Sequence, residues 1–139
     1  MRLARQAHLV LSFLFVAGVV VQVFLAGMGV FDSPSSFQTH ANWGYLLELI
    51  PLILLVLAGA GRLGSRQIAA AAALFGMFLL QSVFVALRAD LPLVAALHPV
   101  NGFAILLVSI LTAREAWLSR NAVAAQSAVT PSTLGEAGH

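Results

Sequence analysis

The segments His40-Ala-Asn-Trp-Gly44 and His98-Pro-Val-Asn-Gly102 share the pattern His-x-x-x-Gly, and each opens a long apolar run. A glutamine precedes each at almost the same distance, Gln22 eighteen residues before His40 and Gln81 seventeen before His98. The chain therefore reads as one helical hairpin written twice, with a histidine at the same place in both copies. Two histidines on different helices at one depth are the minimal equipment for gripping a haem iron from both sides.

Composition sets the solvent. Of 139 residues, 60% are hydrophobic and only 9% charged, against roughly a quarter charged in a soluble domain. With a mean hydropathy of +0.97, the chain is expected to be an integral membrane protein, its first partner the lipid bilayer. The absence of cysteine excludes disulfides, zinc–thiolate sites, iron–sulfur clusters and covalently attached haem. The basic residues are all arginine, but a net charge of +2 is no nucleic-acid signature. No phosphate loop, nucleophile elbow or carboxylate cluster occurs, so no catalytic residue is assigned.

A bilayer core of about 30 Å takes about 20 helical residues. Four runs meet that length, at about residues 8–31, 40–60, 67–87 and 97–117. The basic start and first apolar run resemble a signal peptide, but the run is too long and lacks a small-x-small cleavage site before Asp32. Residues 32–39 form a polar loop with Thr39 as N-cap, and Pro51 should kink the second helix and free the carbonyl of Leu47. Residues 121–139 are rich in Ala, Ser, Thr and Gly without apolar period, which predicts a disordered cytoplasmic tail; His139 is incidental to it. The expected architecture is all-α: a four-helix antiparallel membrane bundle of two similar hairpins.

Arg2, Arg5, Arg62, Arg66, Arg114 and Arg120 fall on one side of such a path, and only Arg88 on the other. The positive-inside rule then makes both termini cytoplasmic and puts His40 and His98 together at the outer face of a bacterial inner membrane. A single histidine at the lip of a membrane helix is usually just interfacial. Here the matched depth, and Gly44 and Gly102 at i+4, favour a ligand pair, because i and i+4 share a helix face. A small residue there would let a flat macrocycle lie close, or let helices pack tightly. Below the pair, Glu48, Gln22 and Gln81 form a polar layer on three helices, Glu48 ~12 Å from His40 at 1.5 Å per residue. Such a carboxylate would take up a proton on reduction, or glue helices through the glutamines. Arg88 is placed to pair with haem propionates, and Asn101, with Asn42, to orient a ring or a propionate. Trp43 reads as an aromatic-belt residue. His8 lies at the opposite end with no second histidine, which argues against a second bis-His haem.

In the His-x-x-x-Gly segment at 40–44, the Gly-Arg-Leu-Gly turn at 61–64 and Leu-His-Pro-Val-Asn-Gly at 97–102, the chain resembles an uncharacterised family of small four-helix bacterial membrane proteins. More remotely it is similar to one half of haem A synthase, whose haem-ligating histidines head the second and fourth helices of each half. That resemblance implies haem ligation by His40 and His98. The acidic residue which that family places just before its second-helix histidine is replaced here by Gln38-Thr39, so synthase catalysis is not implied. The expected function is a membrane b-type cytochrome, exchanging electrons with a quinone or a redox protein. Two other readings compete. One is an accessory or assembly subunit without cofactor. The other is a proton-coupled carrier centred on Glu48, which at this size calls for a homo-oligomer.

Overall fold

In the computed structural model, described over residues 1–129, four long helices and one short one account for nearly every residue. They are α1 (Arg2–Phe31), α2 (Ser36–Gly61), α3 (Ser65–Ala86), the four-residue α4 (Pro92–Ala95) and α5 (Leu97–Val129). There is no strand among the described residues. Four helical segments, with α4 and α5 counted together, are long and apolar enough to cross a membrane.

The surface agrees with that solvent. Phe24, Phe31, Tyr45, Leu46, Val56, Phe103 and Leu107 all stand outward and exposed. Apolar area on this scale would be an aggregation liability in water; facing lipid tails it costs nothing. The interior is correspondingly thin. Phe15, Val19, Leu47, Leu54, Ala71, Leu74, Phe78 and Ile105 form one buried cluster drawn from all four long helices.

The helices make a square. α1 packs on α2 and α5, and α3 packs on the same two, while neither diagonal pair, α1 with α3 or α2 with α5, comes together at close backbone range. Only side chains cross the middle, as Phe15 of α1 and Phe78 of α3 do with ring centroids 5.8 Å apart. Small residues set the spacing along the sides. Trp43 Nε1 donates to the Gly18 carbonyl at 2.9 Å, so this indole is tied into the α1–α2 seam rather than standing free as a belt residue. A methyl group on Gly18 would lie 2.6 Å from Leu47 Cδ2.

At the other end of the same seam, Arg5 Nε donates to the Gly61 carbonyl at 2.9 Å. A guanidinium on the last carbonyls of a helix satisfies acceptors that have no partner in the helix and complements its dipole. The turn that follows is tight. Arg62 takes a left-handed conformation at φ 51 and Gly64 sits at φ 91, while Leu63 N–H returns to the Ala58 carbonyl at 3.0 Å.

Helix ends depart most from the sequence reading. Helix α2 starts at Ser36, with Ser35 rather than Thr39 in the cap position and no side-chain capping bond. Its first turn is closed by backbone bonds from Ser36, Phe37 and Gln38 back to Ser33, Pro34 and Ser35. Helix α5 runs through residues 121–129, where a disordered tail was expected from Asn121. Alanine is the best helix former, and no Pro or Gly interrupts the chain between Trp117 and Pro131, so the helix outlasts its apolar period. The rest of that expected tail, residues 130–139 with His139, lies outside the described residues.

The glycines separate two effects. Gly18→Ala forces the packed Leu47 aside, and overpacking of this kind costs about 1–3 kcal/mol. Gly27 has nothing within 4 Å of the added carbon, so Gly27→Ala should gain about 0.5–1 kcal/mol from helix propensity. Thermal unfolding in mild detergent should therefore fall for the first variant and hold or rise for the second.

Candidate functional site

His40 lies in the second turn of α2 and His98 is the second residue of α5. Pro99 follows in the first turn of α5, where the missing N–H has no intrahelical partner to lose. The two rings meet across the open diagonal of the square, with centroids 6.1 Å apart and planes at 63°. They are the only aromatic pair found between α2 and α5 among the described residues.

His40 is held by the glutamine that precedes it. His40 Nδ1 lies 3.1 Å from the main-chain carbonyl of Gln22. A carbonyl can only accept, so Nδ1 carries the hydrogen and Nε2 is left with its lone pair. That lone pair receives the side-chain amide of Gln22, Nε2 to Nε2 at 3.3 Å. Gln22 thus holds the ring by both nitrogens. Gln81 lines the same cavity as His98, but Nδ1 of that ring is buried without a hydrogen-bond partner. In a deprotonated-Nε2 tautomer of this kind, a main-chain acceptor on Nδ1 is what orients a metal-binding imidazole.

The glycines at i+4 are occupied by those same glutamines. A methyl on Gly44 would stand 2.9 Å from Gln22 Nε2, and one on Gly102 would stand 3.4 Å from Gln81 Nε2. At Gly44 the space that the sequence reading assigned to a macrocycle is where the Gln22 amide reaches the His40 ring, and at Gly102 the Gln81 amide lies alongside. The repeated unit is therefore a triad of Gln, His and Gly from two neighbouring helices, present twice.

The triads wall a cavity of about 1260 Å³, above the roughly 300–1,000 Å³ of ordinary ligand pockets. Gln22, His40, Gly44, Glu48, Gln81, Arg88, His98 and Gly102 all line it, as do Phe78 and Ile105 of the buried cluster, which close its floor. The side-chain carbonyls of Gln22 and Gln81 are both buried and without a hydrogen-bond partner. Arg88 borders the space, yet its Nη1 donates to the Val85 carbonyl of its own helix at 3.0 Å. Asn101 is not part of the lining; its Nδ2 donates to the Met77 carbonyl at 2.8 Å and ties α5 to α3. Asn42 accepts from Gln38 at 2.9 Å on the exposed side.

No group of three or more His, Cys, Asp or Glu that could hold a bare metal ion occurs among the described residues. What the chain offers is a pair. A bare ion needs three or four protein ligands, whereas an iron already held by four porphyrin nitrogens needs only one or two axial ones.

Sequence reasoning overlooked a second polar region. His8, Ser12, Gln67, Ser109 and Thr112 are all buried, and they are the buried polar residues of the described chain. Single polar residues scattered over three helices give no motif. Only the structure shows that all five turn inward, with Ser12 bonded to the His8 carbonyl and Gln67 to the Thr112 carbonyl.

No curated protein and no solved structure matches the chain, so neither comparison shows the likeness to haem A synthase. Residues 22–88, from the first glutamine of the repeat to the arginine that borders the cavity, match the model of a family of unknown function (DUF6220).

Proposed function

We propose that the protein is a membrane b-type haem protein, with His40 and His98 as axial ligands, which exchanges electrons with a quinone or a redox protein. The bundle is read as two antiparallel hairpins in a bacterial inner membrane, with both termini cytoplasmic and the histidines near the outer face. The opposed histidine pair carries the reading. A metal–imidazole bond of about 2 Å on each side of one iron puts the ring centroids about 6 Å apart, and the observed separation is 6.1 Å. The donor set fits as well, since Nε2 of His40 carries the lone pair and Nδ1 is anchored on the Gln22 carbonyl. The cavity between the rings is large enough for a macrocycle and is lined mostly by apolar side chains.

A bound haem would supply one-electron chemistry; the protein's part is to hold, orient and compensate. Ligation asks the Gln22 amide to swing off His40 Nε2 while the main-chain bond to Nδ1 stays. Glu48, on the cavity wall, would hold the proton that offsets an added electron, because a lone charge is costly at this depth. Arg88 needs only to release the Val85 carbonyl to reach an anionic group at the cavity mouth.

Expression with haem supplementation, purification in mild detergent and reduced-minus-oxidised spectra test the reading. The expected result is a low-spin b-type spectrum that His40→Ala and His98→Ala each abolish. A colourless wild-type protein that is still helical would sink it, and what copurifies would then become the question, as for an accessory subunit.

The two glycines sharpen the test. Gly44→Ala drives a methyl against the Gln22 amide, a flexible group that can move, so the fold should survive. His40 Nε2 is then freed of the amide while Nδ1 keeps the main-chain carbonyl of Gln22, so the low-spin spectrum should persist and haem should be taken up at least as readily as by the wild type. Gly102→Ala meets Gln81 only at ordinary contact distance and should leave the spectrum as it is. A Gly44→Ala spectrum shifted toward high spin would show that the Gln22 amide, and not its main-chain carbonyl, orients the ligating ring.

A further inference from the structure

We propose that the end of the bundle opposite the histidine pair holds a hydrated proton-exchange site built on His8, with internal water as its ligand. His8 is wholly buried, and neither ring nitrogen has a hydrogen-bond partner. A neutral imidazole carries one donor and one acceptor. Each buried polar group left unpaired costs about 1–3 kcal/mol, and native interiors rarely leave them so.

The other polar side chains buried in the bundle are already engaged. Ser12 lies one turn further along α1, and its hydroxyl donates to the main-chain carbonyl of His8 at 2.8 Å. Ser109 and Thr112 likewise spend their hydroxyl hydrogens on the Leu106 and Val108 carbonyls, at 2.8 Å each. Gln67 Nε2 donates to the Thr112 carbonyl at 3.3 Å, linking α3 to α5, while its Oε1 is buried without a partner. The only donor left in the group is the second amide hydrogen of Gln67, and it does not reach the ring. A single direct bond from His8 to Gln67 would still leave one ring nitrogen unpaired.

Water supplies both missing roles. It donates to one ring nitrogen, accepts from the other, and donates to Gln67 Oε1; a buried water typically makes about three such bonds. Hydroxyl oxygens of Ser12, Ser109 and Thr112 keep lone pairs for further waters. An imidazole in contact with water gains a proton at one nitrogen and releases one from the other, which makes His8 an exchange group rather than a packing residue.

The charged side chains at this end are engaged elsewhere, half-buried or exposed. Arg5, one turn below it on α1, is engaged with the Gly61 and Arg62 carbonyls. From α2 the buried residues at this level are Ala58 and Gly61. From α5 they are Thr112, Ala113 and Ala116, with Glu115 half-buried and Arg114 exposed. From α3 comes Gln67, with Arg66 exposed beside it.

The site does not depend on haem, and its test uses the protein without added cofactor. The full chain is labelled with 15N-histidine, placed in phospholipid nanodiscs, and followed by NMR for transfer of magnetisation from water to the ring nitrogens. The His8 signals, assigned by their loss in His8→Phe, should show water transfer. Gln67→Leu should weaken that transfer several-fold and leave the His40 and His98 signals unmoved. If His8→Phe does not fold, the signals that respond to Gln67→Leu give the assignment. A His8 ring without water transfer at any pH, or one coupled directly to the Gln67 amide in a dry contact, would overturn the proposal.

Discussion

Hydrocarbon offers no hydrogen bonds, and that constraint arranges everything else in this molecule. A helix that faces lipid can carry only apolar side chains outward, so whatever is polar must turn inward or sit at an end. In a chain with 9% charged residues there is little polarity to place, and the structure puts it in two interior regions. Between them lies the cluster of Phe15, Leu54, Leu74 and their neighbours, which separates the histidine cavity from the buried group around His8.

The square packing follows from the same thin core. Four helices around one central row of side chains leave two diagonals that backbones do not cross. At mid-height the gap is filled by phenylalanine rings. At one end it is filled by the imidazoles of His40 and His98 instead, and because imidazoles are smaller, a cavity remains around them. The room for a ligand is thus a packing consequence of where the two histidines stand.

The spans were legible because they rest on length and hydropathy, and the two histidines stood out because their segment recurs after fifty-eight residues, from His40 to His98. The partners within each hairpin were half legible. Gln22 and Gln81 stood out by their spacing, but the sequence cannot tell a glutamine at a shared depth with Glu48 from one that folds back onto a histidine. That distinction depends on helix rotation, which a mean hydropathy does not encode. Asn101 and Trp43 show the same limit: both looked like site or belt residues, and both spend their N–H on a neighbouring helix. The helix ends were the least legible. Backbone bonds alone close the first turn of α2, and alanine carries α5 past its last apolar residue, so neither boundary has a side-chain signature.

The two triads are not equal, and the reason lies in the chain between them. His40 is entered from a short turn that starts α2 a full turn earlier, at Ser36, so its ring comes off an established helix and meets both arms of Gln22. His98 is entered through α4 and stands at the very start of α5, beside Pro99. A residue at a helix start has fewer backbone bonds to fix its direction, and the ring there leaves Nδ1 without a partner. One histidine is therefore held and the other adjustable. The asymmetry follows from where each ring leaves its helix: an established turn with a glutamine against it for His40, a bare helix start for His98.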